Sequence, residues 1–194
     1  MGAKQFQAIY QVKVSLVGSK PPIWRRLLVH SNITLDVFHT AIQYSMGWLG
    51  YHLHQFEKDR IMYGIPDNEF GGEFGIDTED ETKYKLSDVL REKGDSLIYE
   101  YDFGDSWRHR IILEKLLPIE TTSDMVRCVK GKRSCPPEDC GGVPGYENLL
   151  EIINDPSHAE HEEMLDWLGG EFDPEYFSLS ETNSILSTNV KQNA

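Results

Sequence analysis

Three cysteines lie in one short stretch, Cys128, Cys135 and Cys140, spaced Cys-x6-Cys-x4-Cys and followed by Gly141 and Gly142. Thiolates with one histidine can close a zinc site, although this spacing lacks the tight Cys-x2-Cys knuckle. Pro136 and Pro137 stiffen the gap, and Glu138 and Asp139 add carboxylates. The competing reading is three reduced thiols packed in a rigid loop. A second pair, His52 and His54, is separated by one residue. On a strand, alternate residues share a face, so both imidazoles can turn toward one metal; two packing histidines give the same pattern. The run Asp102-Phe103-Gly104-Asp105-Ser106-Trp107-Arg108-His109 sets carboxylates and an imidazole around a tight turn. That combination suits acid–base work or cation binding, with Asp102, Asp105, His109, Glu138 and Asp139 as the catalytic candidates. The plain alternative is a hairpin turn with Asp105 bonding its own backbone. His158, His161 and Glu162 can share a helix face, but the order is not His-Glu-x-x-His, and Ser157 to Glu160 reads more simply as a helix cap. Gly-rich phosphate loops and the Gly-x-Ser-x-Gly elbow are absent from the sequence.

These residues need a scaffold, and the hydrophobic pattern describes one. Phe6, Ala8, Tyr10, Val12, Val14 and Leu16 alternate with polar residues, as in a half-buried strand, and Ile23 to Val29 returns as its hairpin partner. Leu35, Phe38, Ile42 and Met46 recur at helical spacing, and Gly47 supplies the stop. Strands follow at His52–Phe56 and Ile61–Tyr63. Residues 66–82 hold seven acids, three glycines and no Lys or Arg, and read as a mobile surface loop whose spacing does not fit a calcium loop. Ser87 to Glu92 reads as a short helix. Leu97 to Leu113 reads as a hairpin. A three-residue loop there puts Trp107, His109, Ile111 and Leu113 with Tyr99, Tyr101 and Phe103, and sets Asp102 opposite Arg108 and Glu100 opposite Arg110. From Pro118 to Val143 the chain reads as irregular. Pro144 then opens a helix carrying Tyr146, Leu149, Leu150 and Ile153 inward. A second helix buries Met164, Leu165 and Leu168, and residues 179–194 form a polar tail.

The 194 residues fit one domain, expected over 1–178, with a core large enough to need no disulfides. Three cysteines and no basic-then-apolar N-terminal stretch are expected of a cytoplasmic protein, and no apolar run approaches a membrane span. The net charge of −13 is divided +4 over residues 1–60 and −17 over residues 61–194. Such a surface disfavours nonspecific nucleic-acid binding overall, while leaving room for a basic face in the first part.

In order and spacing, Pro21-Pro22-Ile23-Trp24-Arg25-Arg26, Met46-Gly47-Trp48, His52 to Phe56, Tyr101 to Trp107, Cys135 to Gly142 with Gly145-Tyr146, and Glu162 to Gly170 before Phe172-Asp173-Pro174 resemble the plasmid pRiA4b ORF-3-like family over about residues 6–178. The resemblance implies an α+β fold, a mixed β-sheet packed by helices on one face, with a β-grasp-like core and C-terminal helical additions. Some members of this family are labelled as passengers of insertion elements. Arg25, Arg26, Trp48, Trp107 and Tyr146 are then the expected binding residues. Three functions follow. The first is a binding or interaction module for a protein or small molecule, associated with mobile elements. The second is a metal-dependent, hydrolase-like enzyme, with zinc as the expected metal, built from Cys128, Cys135, Cys140, His52, His54 and the Asp102 turn. The third is nucleic-acid binding through Lys20, Arg25 and Arg26.

Overall fold

Alternation in the first strands is what shapes the sheet. A computed structural model describes residues 8–66, 78–119 and 124–190. In β1 (Ile9–Leu16), Tyr10, Val12, Val14 and Leu16 are buried and the residues between them face outward. Its partner β2 (Trp24–His30) does the same with Arg25, Leu27 and Val29. Helix α1 (Leu35–Met46) lays Phe38, Ala41, Ile42 and Met46 into the same core and ends on Gly47, whose φ of 103° only glycine adopts cheaply. Arg25, 3% exposed, donates from Nε to the Ser45 carbonyl at 2.7 Å, satisfying the negative end of α1.

The remaining strands are β3 (His54–Lys58), β4 (Ile61–Gly64), β5 (Thr78–Asp80), β6 (Ser96–Tyr101), β7 (Trp107–Leu117) and β8 (Val126–Lys132). They join one eight-stranded mixed sheet in the order β5-β4-β3-β6-β7-β1-β2-β8, in which the β4–β5 pair is parallel. The other helices are α2 (Leu86–Val89), α3 (Gly142–Asn154), α4 (His161–Leu168) and α5 (Leu179–Asn189). The fold is α+β, and among the described residues no helix is long and apolar enough to cross a membrane.

Several expectations change. The β6–β7 turn spans Asp102 to Ser106, so Tyr101 faces Trp107 and Glu100 faces Arg108, rather than Arg110. The two-residue difference preserves parity, which is why Trp107, His109, Ile111 and Leu113 still point inward while Phe103 is exposed. The turn lengthens because Asp102, at φ 56°, captures the Gly104 N–H with its carboxylate at 2.9 Å. Residues 126–132 are a strand, not an irregular stretch. Val126 and Cys128 turn inward and Arg127, Lys130 and Lys132 outward, a weak alternation interrupted by Gly131. Within the expected acidic loop, residues 67–77 lie outside the described residues, but Thr78–Asp80 pairs with β4, and Glu81 begins a 3-10 turn (Glu81–Lys83) that buries it. Helix α3 starts at Gly142, ahead of Pro144, and buries Ile152 more deeply than Ile153. No Ser157 cap forms, because Asp155 takes the Ser157 N–H and hydroxyl, and α4 begins at His161.

The expected polar tail is helical over residues 179–189. Ser178 caps α5 by accepting the Glu181 N–H, Leu186 is fully buried, and Asn183 makes paired hydrogen bonds of 2.8 and 2.9 Å to the Cys128 N–H and carbonyl. The helix thereby covers the open edge of β8, satisfying donors and acceptors that a further strand would otherwise seek. Truncating Leu186 to Ala is expected to cost about 3 kcal/mol, as for other fully buried leucines; a urea midpoint unchanged from wild type would show that α5 does not contribute to the core.

Candidate functional site

Three loops at one end of the sheet are stitched together by hydrogen bonds from buried groups. The Tyr101 hydroxyl, at the end of β6, accepts the N–H groups of Tyr51 and His52 at 3.0 and 3.4 Å and donates to the Glu138 carboxylate. Burial, reinforced by that carboxylate, raises the Tyr101 pKa, so the phenol stays a donor at neutral pH. The Trp48 indole N–H reaches the Pro136 carbonyl at 2.9 Å, and the Leu49 N–H reaches Glu138 at 3.3 Å. The Asp105 carboxylate accepts the Gly141 N–H at 3.1 Å, and the Asp102 N–H bonds the Leu53 carbonyl at 2.9 Å. Segments 47–53, 101–105 and 135–142 are therefore held in fixed relation.

Held this way, His52, Asp102 and Asp139 converge. His52 Nε2 is 3.1 Å from Asp139 Oδ1 and 3.7 Å from Asp102 Oδ2. Among the described residues they are the one trio of metal-ligating side chains whose donor atoms all lie within 4.8 Å of one another. Ligand atoms around a tetrahedral zinc with bonds near 2.1 Å sit about 3.4 Å apart, so the two His52 separations bracket the required spacing. Asp102 and Asp139 both have left-handed backbone, at φ 56° and 61°. For non-glycine residues such conformations cost free energy, and they concentrate at functional positions. Asp139 is 69% exposed in its side chain, which gives the trio an open side.

Asp139 also lines a cleft of about 360 Å³ between α3 and α4, together with Cys140, Asn148, Glu160, Glu163 and Trp167. Around the trio, Leu49, Tyr51, Leu53 and Phe103 are exposed, Tyr51 to 76%. Such a group of apolar side chains on a surface is a common mark of a contact site.

The other candidates are placed differently. His54 is buried, turns its Nε2 to Glu81 at 2.9 Å and stacks on His39 with ring centroids 3.4 Å apart, so it does not share a site with His52. The thiols fall outside the trio. Burial raises Cys135 well above the ordinary thiol range, and burial with Asp105 and Asp139 pushes Cys140 up to about 12, so both are neutral thiols at pH 7. Cys128 is buried and raised in the same direction. His109 is fully buried, donates from Nδ1 to the Trp107 carbonyl at 3.0 Å and is held down to about 3 by desolvation, which makes it a core residue rather than a proton-transfer group. Arg25, Trp48, Trp107 and Tyr146 are also buried, which leaves little of their surface for a partner to contact. Their role is to position the loops, as Trp48 does for Pro136. Arg26 faces outward and is bidentate to Glu114 at 2.6 and 2.8 Å.

His52 beside the Asp102 turn was expected as part of a metal site, but Asp139 in place of the thiols as the third donor had no local signal. The positive φ of Asp102 and Asp139 becomes visible only in the backbone. Glu81 and His39, which complete the buried histidine pair, were also missed, Glu81 because it ends an acidic run that reads as solvated.

Residues 8–181 match the model of the plasmid pRiA4b ORF-3-like protein family. The chain is 34% identical over 182 residues, 92% of its own length and 91% of the relative's, to the uncharacterized protein y4hQ of Sinorhizobium fredii. It is similar to the crystal structure of a protein of unknown function, MM3350 from Methanosarcina mazei Go1, with a TM-score of 0.81, 40% identity, and coverage of 92% of this chain and 98% of that one.

Proposed function

The chain belongs to the plasmid pRiA4b ORF-3-like family, and from that premise we propose that it acts through a divalent cation held by His52, Asp102 and Asp139, presented to a ligand in the adjoining cleft. The observation that carries this reading is the convergence of three donor atoms within 4.8 Å from three separately anchored segments. One imidazole and two carboxylates suit Zn²⁺ or Mn²⁺ better than Cu(I), which prefers sulfur, or Ca²⁺, which needs six to eight oxygens. Three protein ligands would leave positions free, and an ion held by His52, Asp102 and Asp139 would supply Lewis-acid chemistry of the hydrolase kind. Cys135 and Cys140, neutral thiols, pack against the core on the loop that carries Asp139.

A second reading, a binding module without catalysis, is favoured by the exposed Leu49, Tyr51, Leu53 and Phe103 around the same site. Both readings use one surface and differ in whether bound ligand is turned over. The family's description as a plasmid product supports a mobile-element-associated role. The order strand, strand, helix at the start of the chain supports a β-grasp-like core.

Titration calorimetry with Zn²⁺ and Mn²⁺ tests the cation. One ion per chain is expected. His52→Ala should weaken it by at least about 100-fold, since even residues that only orient ligands cost about 10–100-fold. Asp139→Asn should weaken it similarly, while Cys135→Ala with Cys140→Ala should leave affinity within a few-fold. An unaltered affinity in His52→Ala, or loss confined to the cysteine variant, would move the site to the thiols and overturn the assignment.

A further inference from the structure

The strands that build the core on one face leave the other face open, and its composition is not that of the rest of the molecule. Strands β1, β2, β7 and β8 are adjacent, and together they contain nine Lys and Arg but one acid, Glu114. Arg25 alone among these cations points inward. The register places the others on one surface. Lys13 faces Arg26, which faces Lys130, and Arg110 faces Ser15, which faces Trp24, which faces Lys132. Two ladder rows thus carry positive charge across four strands, supplied by Lys13, Arg110, Lys130 and Lys132, since Arg26 is paired with Glu114. Arg110, Lys130 and Lys132 are exposed, and among the described residues neither they nor Lys13 forms an ion pair. In the middle lies the half-buried Trp24 indole, with Lys13 Nζ 5.1 Å and Arg26 Cζ 5.2 Å from its ring centroid.

We propose that this open sheet face binds single-stranded nucleic acid, with the two basic rows following the phosphates and Trp24 offering a stacking surface. The inference is independent of the cation site, which lies at the loop end and involves none of these residues. The net charge of −13 does not decide the matter, because at physiological salt a charge is screened beyond about 8 Å and a phosphate on this face senses mainly the cations beneath it. Single strands fit better than duplex. Four strands at about 4.8 Å spacing make a surface about 14 Å across, broader than the major groove of roughly 12 Å, which admits a helix or a two-stranded ribbon. Cationic sheets bearing an aromatic side chain hold unpaired bases by stacking, which requires no particular sequence.

The test is fluorescence anisotropy of the full chain with a labelled 12-nucleotide oligo(dT) and, in parallel, oligo(U). Four phosphate contacts predict affinity falling about 50-fold between 50 and 200 mM salt, a log–log slope near −3. Lys13→Gln with Arg110→Gln should flatten that slope by about 1.4 and weaken binding at low salt. Trp24→Leu should weaken binding with the slope unchanged, and quenching of tryptophan emission by the oligonucleotide should diminish with it. Tighter binding of one oligonucleotide identifies DNA or RNA as the source of the strand. No anisotropy change at 20 mM salt, a preference for duplex of the same length, equal displacement by polyglutamate, or a slope unaffected by the double variant would each overturn the proposal, the polyglutamate result by putting an acidic polypeptide on the face instead.

Discussion

Replacing Gly145 by Ala is expected to destabilise the protein by about 4 kcal/mol or more, or to leave it folded without the proposed cation site, an effect at the upper end for one methyl group. The backbone of Gly145 lies in the first turn of α3, and a Cβ built there would stand 1.8 Å from the Cys140 carbonyl oxygen. Backbone on both sides of that contact cannot yield as a flexible side chain would. Relief requires α3 to move away from the 135–141 loop, and with it go Asp139 and the Gly141 N–H that holds Asp105. Gly94 provides the control. Its φ is +98°, but a Cβ there meets nothing within 4 Å, so Gly94→Ala should cost only the backbone strain, about 1 kcal/mol. Urea denaturation of both variants, with Zn²⁺ calorimetry on any that fold, gives the comparison. Equal, small losses for the two would mean that the loop and helix are not in rigid contact.

Lowering the pH from 7 to 5 should remove about 4 kcal/mol of stability, about 2 kcal/mol from each of His39 and His109. Both imidazoles are held down to about 3 in the folded protein, His109 mainly by complete burial, with Arg25 nearby, and His39 mainly by burial, with His54 stacked on it. The hydrogen bonds agree with neutral rings. Gln43 donates to the Tyr99 hydroxyl at 2.7 Å, so the single phenolic proton is free to go to His39 Nδ1, also at 2.7 Å. The unfolded chain protonates these groups near pH 6.5 and the folded chain does not, so the unfolded state takes up more protons throughout that interval. The stabilisation is complete above about pH 6.5 and declines as the pH falls toward 3. Carboxylates whose pKa is lowered by hydrogen bonding or ion pairing, such as Glu114 beside Arg26, add their loss only below the ordinary carboxylate range. Denaturation of the wild type and of His109→Leu at pH 7 and pH 5 separates the contribution, because the variant should lose only about half as much on acidification. Imidazole resonances of both residues titrating near pH 6.5 in the folded protein would contradict the expectation.

The two predictions depend on different kinds of information. That His109 points inward follows from alternation along Trp107, His109, Ile111 and Leu113, and a two-residue error in the hairpin register left it unharmed. That Gly145 touches Cys140 follows from the entry angle of α3, which no local pattern encodes.

The same division runs through the molecule. Periodicity alone located β1, β2, α1, β6 and β7, because a period of 2 or 3.6 is imposed by burying one face and is written in consecutive side chains. Where the pattern is diluted it was not legible: β8 is interrupted by Gly131, β5 sits in an acidic run, and α5 buries few side chains, chiefly Leu186, and is joined to the edge of β8 by Asn183. Individual site residues were visible from their chemistry, His52, Asp102 and Asp139 among them, and His52 was expected beside the Asp102 turn and the cysteine loop, but which donor each segment supplies was not. His54 was the nearer partner in sequence and went to Glu81. Convergence of three loops depends on strand order and on buried hydrogen bonds from Tyr101 and Trp48 across 37 to 88 residues of chain. Likewise the sequence carried three Lys and Arg in β1 and β2 and six in β7 and β8, the latter within its acidic part, while only the pairing of these strands gathered them into one sheet segment. Chain-local energetics fixes which side of an element is wet; which wet sides meet is decided by the packing of the whole.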